Sequence, residues 1–355
     1  MSRFISSRFD SLEEYVPGEQ PRDKKYIKLN TNESPYPPSP AVLKAAADEV
    51  KLCNLYSDPV IRDLRMKIAK LYGVEMQNVI ATNGSDEALS FAFMAYCDKN
   101  TGVAYPDISY GFYKVFGQLY GLDCLEIPLK NDFTIGVSDY FGLGRTVFIA
   151  NPNAPTGIAL TPDEIEQIIV KNPDNVVVID EAYVDFGAQS CVPLTKKYKN
   201  LLVVQTFSKS RSLAGARLGF AIGDASLISD LEKLRYSTNP YNVNRMTAAC
   251  GCAAIDENQY YTDNCEKIVR SREMMVTGLR ALGFTVTDSS ANFVFAKHAS
   301  VPGNEIYSKL RESGILVRHF SSPKICEYNR ITVGTEAQTQ ALLDALKIIV
   351  KENTK

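Results

Sequence analysis

The sequence predicts an α/β protein: a mostly parallel seven-stranded sheet in one domain, and a second, smaller α+β domain. Three observations carry this. At 355 residues the chain exceeds a typical single domain. Seven short apolar runs recur between residues 79 and 222, with helical patterns between several of them. The runs are apolar at consecutive positions, as strands covered on both faces are.

The elements follow in order. The first thirty residues are polar with little periodicity, and Glu14-Tyr15-Val16-Pro17-Gly18 is a turn-type segment. Leu29-Asn30-Thr31-Asn32-Glu33-Ser34-Pro35 runs on into Pro37-Pro38, and the prolines make it a rigid extended loop. Ser39-Pro40 supplies an N-cap and a proline at the first helical position, opening a helix to about Cys53. The strand candidates are Val79–Ala81, Gly102–Ala104, Cys124–Ile127, Val147–Ala150, Val176–Ile179, Leu201–Val204 and Gly219–Ile222. Beyond about Pro240 the pattern changes. A helical region covers Asn244–Leu282, and shorter strands follow at Phe284–Val286, Asn292–Phe295, Ile315–Val317 and Arg330–Val333. Leu342, Leu343, Leu346, Ile349 and Val350 share one face of a last helix.

Composition narrows the function classes. A net charge of −2 without basic blocks argues against nucleic acid. No segment has the roughly 18–20 apolar residues that span a bilayer. The N-terminal residues lack a signal-peptide core, so cytoplasm is the expected compartment. The eight cysteines form no C-x-x-C pair, and with two histidines no metal site is expected. Catalysis therefore falls to lysine, tyrosine, carboxylates or a cofactor.

In parallel sheets ligands gather at the carboxyl ends of strands, and the polar motifs lie there. Gly84-Ser85-Asp86 opens a helix whose free amides and dipole suit a phosphate. Tyr110 follows the second strand and is placed to stack on a planar ring. Asn153 sits in Asn151-Pro152-Asn153-Ala154-Pro155-Thr156-Gly157, where prolines and glycine fix the backbone. Asp180 closes an apolar strand and needs a cationic partner, such as a protonated pyridine nitrogen; Tyr183 stands three residues on. Ser208-Lys209 ends another strand, with Arg217 eight positions later. Burial disfavours a lysine's cation and frees the amine for a carbonyl, and a hydroxyl with a guanidinium suits phosphate. Each motif alone fits an ordinary cap, core aromatic or surface pair. Their conjunction at the strand ends of one domain points to pyridoxal 5'-phosphate (PLP).

On these residues the chain resembles the fold-type I PLP-dependent aminotransferases and, within them, the histidinol-phosphate aminotransferase family. Tyr56-Ser57-Asp58-Pro59, Asp180-Glu181-Ala182-Tyr183, Pro240-Tyr241-Asn242-Val243-Asn244, Ala291-Asn292-Phe293, Val317-Arg318 and Arg330 to Thr335 extend the likeness nearly end to end. The resemblance implies a large PLP-binding domain over 32–240 and a small domain formed by 1–31 plus 241–355. It implies that Lys209 carries the cofactor and shuttles a proton. Asp180 pairs with the pyridine nitrogen, Tyr183 binds the phenolate oxygen and Tyr110 stacks on the ring. Gly84, Ser85, Asp86, Ser208 and Arg217 hold the phosphate, and Tyr56 reaches the phosphate of a neighbouring subunit in a homodimer. Arg330 and Arg318 bind the substrate's anionic end, helped by Tyr15 and Asn292. Related enzymes usually carry asparagine where this chain has Ala154, and Asn153 is the nearest amide. The implied reaction is imidazole-acetol phosphate plus glutamate to histidinol phosphate plus 2-oxoglutarate. A threonine-phosphate decarboxylase and a broad aromatic aminotransferase are the alternatives on the same scaffold.

Overall fold

The computed structural model describes residues 2–10 and 12–353; residues 1, 11, 354 and 355 of the expected small domain lie outside them. The N-terminal arm carries β1 (Ile27–Lys28). Helix α1 (Pro40–Val50) begins at the expected proline but ends short of Cys53. Ser39 makes no side-chain cap; its backbone N–H donates to the Tyr261 hydroxyl instead, at 3.1 Å. Helix α2 (Arg62–Tyr72) is closed by Gly73 in the left-handed conformation.

The sheet then builds as β2 (Val79–Thr82), α3 (Ser85–Tyr96), β3 (Val103–Pro106), α4 (Phe112–Tyr120), β4 (Cys124–Ile127), β5 (Thr146–Ala150) and α5 (Pro162–Val170). It closes with β6 (Val177–Asp180), β7 (Leu201–Thr206), β8 (Gly219–Gly223) and α6 (Ala225–Thr238). All seven expected strands form, in the order β2-β8-β7-β6-β5-β3-β4. Only β8 runs antiparallel to its neighbours. Alternate residues feed opposite faces. Val177, Ile179, Leu201 and Val203 enter one core with Ile165, Ile168 and Ile169 of α5. Val178, Leu202 and Val204 enter another with Leu89, Phe93 and Leu231 of α3 and α6. Two covered faces explain the continuous apolar runs. Thr161 and Glu164 cap α5 reciprocally, at 3.3 and 2.8 Å.

The expected helical stretch 244–282 is two helices, α7 (Arg245–Asp256) and α8 (Asn258–Ala281). Cys250 and Ala254 of α7 join the large-domain core, so the second core begins within α8 and not at residue 241. After α8 come β9 (Phe284–Val286), β10 (Phe293–His298), α9 (Gly303–Glu312), β11 (Ile315–Leu316), β12 (Arg318–His319), β13 (Asn329–Thr332) and α10 (Glu336–Asn353). The expected strand 315–317 forms as β11 over its first two residues, and β12 follows just beyond it. β12 joins the antiparallel sheet β12-β13-β10-β9, while β11 pairs in parallel with β1 of the arm. Leu29 of the arm, and Ala154 and Tyr183 from loops of the large sheet, are buried in this second core. The two cores therefore meet at the strand ends.

Candidate active site

A cavity of about 530 Å³ lies at that meeting point, walled by the ends of β5, β6 and β7, the start of α3, the arm and the small domain. Asp180 ends β6 and is 4% exposed. Its carboxylate accepts from the Tyr113 hydroxyl and the Ala182 amide, each at 3.2 Å. Burial pushes its pKa up to about 7, and Asp86 adds to the rise. Among the described residues no lysine or arginine forms an ion pair with it. The Lys209 charge and the two hydrogen bonds offset that burial only in part, and a carboxylate without an ion-pair partner at a cavity wall is a receptor for a cation; a pyridinium N–H fits.

Lys209 follows β7 on the same wall. Its Nζ donates to the Thr31 carbonyl at 3.3 Å and stands 5.6 Å from the centre of the Tyr183 ring. Tyr183 packs edge-on against Phe293, with ring centres 5.0 Å apart. Its hydroxyl oxygen accepts from Asn32 Nδ2 at 3.0 Å.

Beside Lys209 the cavity is built for an anion. Gly84 turns with a φ of 81° into α3, and Ser85 and Asp86 bring the first turn of the helix to the cavity. Arg217 crosses this turn from a left-handed φ of 53°. Its Nη2 pairs with Asp86 at 3.0 Å and its Nη1 donates to Ser208 Oγ at 3.4 Å. A Cβ on Gly84 would stand 2.4 Å from Arg217 Nη2, so only glycine permits the approach. The carboxylate of Asp86 orients Arg217 and accepts from Tyr110 Oη at 2.6 Å. Helix amides, hydroxyl and guanidinium form a donor set for phosphate. With Lys209 and Asp180 in the same cavity, the residues present fit PLP.

A second anion receptor faces the cavity from the small domain. Arg330 of β13 donates to the Asn30 carbonyl at 2.9 Å, and its buried Nε has no hydrogen-bond partner. Its guanidinium stands 5.5 Å from the Phe293 ring centre. Arg318 donates to the carbonyls of Val16 and Pro17, at 2.8 and 3.0 Å, holding the arm beside Tyr15. Tyr15 stacks on Phe112 with ring centres 4.3 Å apart, and it also lines the cavity. Among the described residues neither arginine has a carboxylate partner.

Three named residues do not line this chain's cavity, and of these Tyr56 was expected at a neighbouring subunit's. Asn153 is buried in its own loop. Its Nδ2 donates to Ile108 O at 2.9 Å and Thr156 Oγ1 at 3.2 Å, and its Oδ1 accepts from Ser109, so Ala154 faces the cavity instead. Asn292 is fully buried behind the wall, where its Nδ2 donates to the Asn32 carbonyl at 2.9 Å. Tyr56 is 78% exposed and stacks on Tyr241 at the surface, away from this chain's own cavity. Two residues went unassigned in the sequence: Tyr113, one turn beyond Tyr110, and Asn32 in the proline-rich loop.

Residues 24–346 match the family described as aminotransferase class I and II. The histidinol-phosphate aminotransferase of Brachyspira hyodysenteriae is 50% identical over 353 residues, which is 99% of this chain and 100% of that protein. The enzyme of that name from a Marinomonas strain is 50% identical over 98% of this chain and its own full length. The chain belongs to the histidinol-phosphate aminotransferases, within the class I and II aminotransferase family. The histidinol-phosphate aminotransferase of Sinorhizobium meliloti, solved with pyridoxal-5'-phosphate, superposes with a TM-score of 0.88, covering 99% of this chain and all of that one. At 23% identity that likeness shows the fold. In this aminotransferase Lys209, Asp180 and the Arg217 corner line one part of the cavity, and Arg330 and Arg318 of the small domain, neither paired with a carboxylate among the described residues, line another.

Proposed function

We propose that this aminotransferase uses PLP to move an amino group from glutamate to imidazole-acetol phosphate, giving 2-oxoglutarate and histidinol phosphate. One observation carries the reading: a single cavity is lined by Lys209, by the Asp180 carboxylate, which has no ion-pair partner among the described residues, and by two anion receptors, Arg217 with the α3 N-terminus and Arg330 with Arg318. When bound, PLP supplies a sink for the electron pair released at the substrate's α carbon. Asp180 keeps the ring nitrogen protonated, and the α3 N-terminus with Ser208 and Arg217 holds the phosphate. Tyr183 donates to the phenolate oxygen, and Tyr110 covers the ring. Lys209 Nζ takes the proton from the substrate's α carbon and returns it on the other side of the exchange.

Substrate choice rests on Arg330 and Arg318. Histidinol phosphate has a phosphate and no carboxylate, whereas glutamate has two carboxylates. A guanidinium binds either through the same pair of N–H groups, so the half-buried Arg330 serves both halves of the cycle. Leu52, Leu55, Tyr56 and Tyr241 are exposed apolar side chains of one region, with Tyr56 and Tyr241 rings 4.4 Å apart. They support a homodimer in which Tyr56 completes the neighbouring phosphate site. Among the described residues no helix is long and apolar enough to cross a membrane, which agrees with a cytoplasmic enzyme.

Single-turnover reactions of the PLP-loaded enzyme with histidinol phosphate, glutamate, phenylalanine and O-phosphothreonine test this. Histidinol phosphate and glutamate should each discharge the cofactor's visible band, with phenylalanine far slower. In Arg330→Ala both favoured amines should slow together. Carbon dioxide released from O-phosphothreonine, or preference for phenylalanine, would overturn the substrate assignment.

A further inference from the structure

We propose that Asn32 is a positioning residue for the cofactor: its amide holds the Tyr183 phenol so that the phenol's own proton is directed into the cavity. The inference rests on the roles of Lys209 and Tyr183 proposed above.

The hydrogen bonds fix which end of the amide faces Tyr183. The backbone N–H of Asn32 donates to Thr332 Oγ1 at 2.9 Å. That leaves the Thr332 hydroxyl its proton, which it donates to Asn32 Oδ1 at 3.0 Å. The oxygen end is thereby occupied, and Nδ2 is the atom 3.0 Å from the Tyr183 hydroxyl. A phenol oxygen that already accepts an N–H keeps its proton free for an acceptor in the cavity. Accepting that bond also strengthens it as a donor.

Asn32 is held in this pose from several sides. Its φ of 56° is left-handed, a region few residues other than glycine and asparagine enter. It is 1% exposed. Its carbonyl accepts from Asn292 Nδ2 at 2.9 Å, and the Leu29 carbonyl of the arm accepts from the Thr332 amide at 2.9 Å. A conformation with a steric cost, over-determined by neighbours beside a reactive lysine, marks a position that the site requires. Among the described residues no other side-chain amide bonds the Tyr183 hydroxyl: Ala154 at the cavity wall has none, and Asn153 is spent in its own loop. Thr332 also lies two residues from Arg330 on β13. The strand that presents the substrate's arginine therefore also sets Asn32, and through it the donor at the cofactor's oxygen.

The consequence is a pH signature. A donor at the phenolate oxygen withdraws charge from the adjoining nitrogen that Lys209 contributes, so that nitrogen releases its proton more readily. The pH midpoint of the cofactor's visible band reads this directly, without turnover. Asn32→Gly keeps the left-handed backbone and removes the amide. Asn32→Asp keeps the shape and the Thr332 contact but puts an acceptor where the donor was. Asn32→Gly should raise the midpoint by about half to one pH unit, the scale of one hydrogen bond. Asn32→Asp should raise it further, because the carboxylate draws the phenol's proton to itself. Thr332→Val should move it the same way by less. In a Tyr183→Phe background Asn32→Gly should change nothing more. A midpoint unmoved in both Asn32 variants, or an equal shift without the phenol, would overturn the proposal while leaving the roles of Lys209 and Asp180 intact. If the band of the unmodified enzyme survives Lys209→Ala, the reading of the site fails, and this inference fails with it.

Discussion

Replacing Asp180 by asparagine should stabilise the cofactor-free protein while disabling the enzyme. The carboxyl is buried with two hydrogen bonds and, among the described residues, no ion-pair partner; burial outweighs those bonds and the nearby Lys209 charge, and its pKa rises from 3.8 to about 7. The folded state therefore binds this proton more tightly than the unfolded chain. Stability is lost as pH rises from 3.8 through 7 and is restored on acidification. At pH 8 the ionised carboxylate costs about 4 kcal/mol, the pKa difference at about 1.4 kcal/mol per pH unit. The amide has no charge to desolvate but forfeits one hydrogen bond, about 1 kcal/mol, leaving a net gain of about 3. For a chain of 355 residues that is a rise in Tm of about 4 °C. At pH 5 the native carboxyl is already protonated, and the same arithmetic leaves a gap below about 1 kcal/mol. Calorimetric melting of cofactor-stripped protein at both pH values, with and without the substitution, measures this. Glu181, also raised to about 7 by burial, is present in both proteins and drops out of the difference. A lower Tm for Asp180→Asn at pH 8, or a gap that fails to narrow towards pH 5, would refute a carboxylate without an ion-pair partner. If Asp180 faces the pyridine nitrogen as proposed, cofactor affinity should fall in the same variant, since the pyridinium would lose its counter-charge.

Two further outcomes probe the phosphate end. Gly84→Ala sets a methyl 2.4 Å from Arg217 Nη2 on a backbone of φ 81°, so cofactor affinity should drop by about tenfold or more, with about 1–2 kcal/mol of stability lost; equilibrium titration with PLP and thermal melting read the two effects. If Tyr56 completes the neighbouring site, subunits carrying Lys209→Ala and subunits carrying Tyr56→Ala should complement each other when refolded together. Half the dimers would be hybrids with one intact site of two, giving about a quarter of the original activity; no recovery would place each site within one chain.

What the sequence shows and what it hides divide along a physical line. The seven strands are visible because each is buried on both faces and so reads as an unbroken apolar run. The polar residue that ends such a run stands out against it, which is why Asp180 and Lys209 could be named before their surroundings were known. A polar residue inside a polar loop has no such contrast. Asn153 and Asn32 look alike in sequence, yet one turns into its own loop and the other into the cavity, and only the fold separates them. The break between α7 and α8 falls at Asp256-Glu257-Asn258, with no glycine or proline to mark it. The pairing of β1 with β11, and of Asn32 with Thr332, joins residues nearly three hundred positions apart. Local periodicity reports whether a segment is covered and says nothing of what covers it. Cofactor chemistry depends chiefly on charges that one domain places at its own strand ends, and these are legible. The proposed substrate arginines and the proposed setting of the Tyr183 phenol depend on the arm and small domain meeting that edge. Such contacts exist only once the chain has closed on itself, so the residues that tune this site are the ones a linear reading passes over.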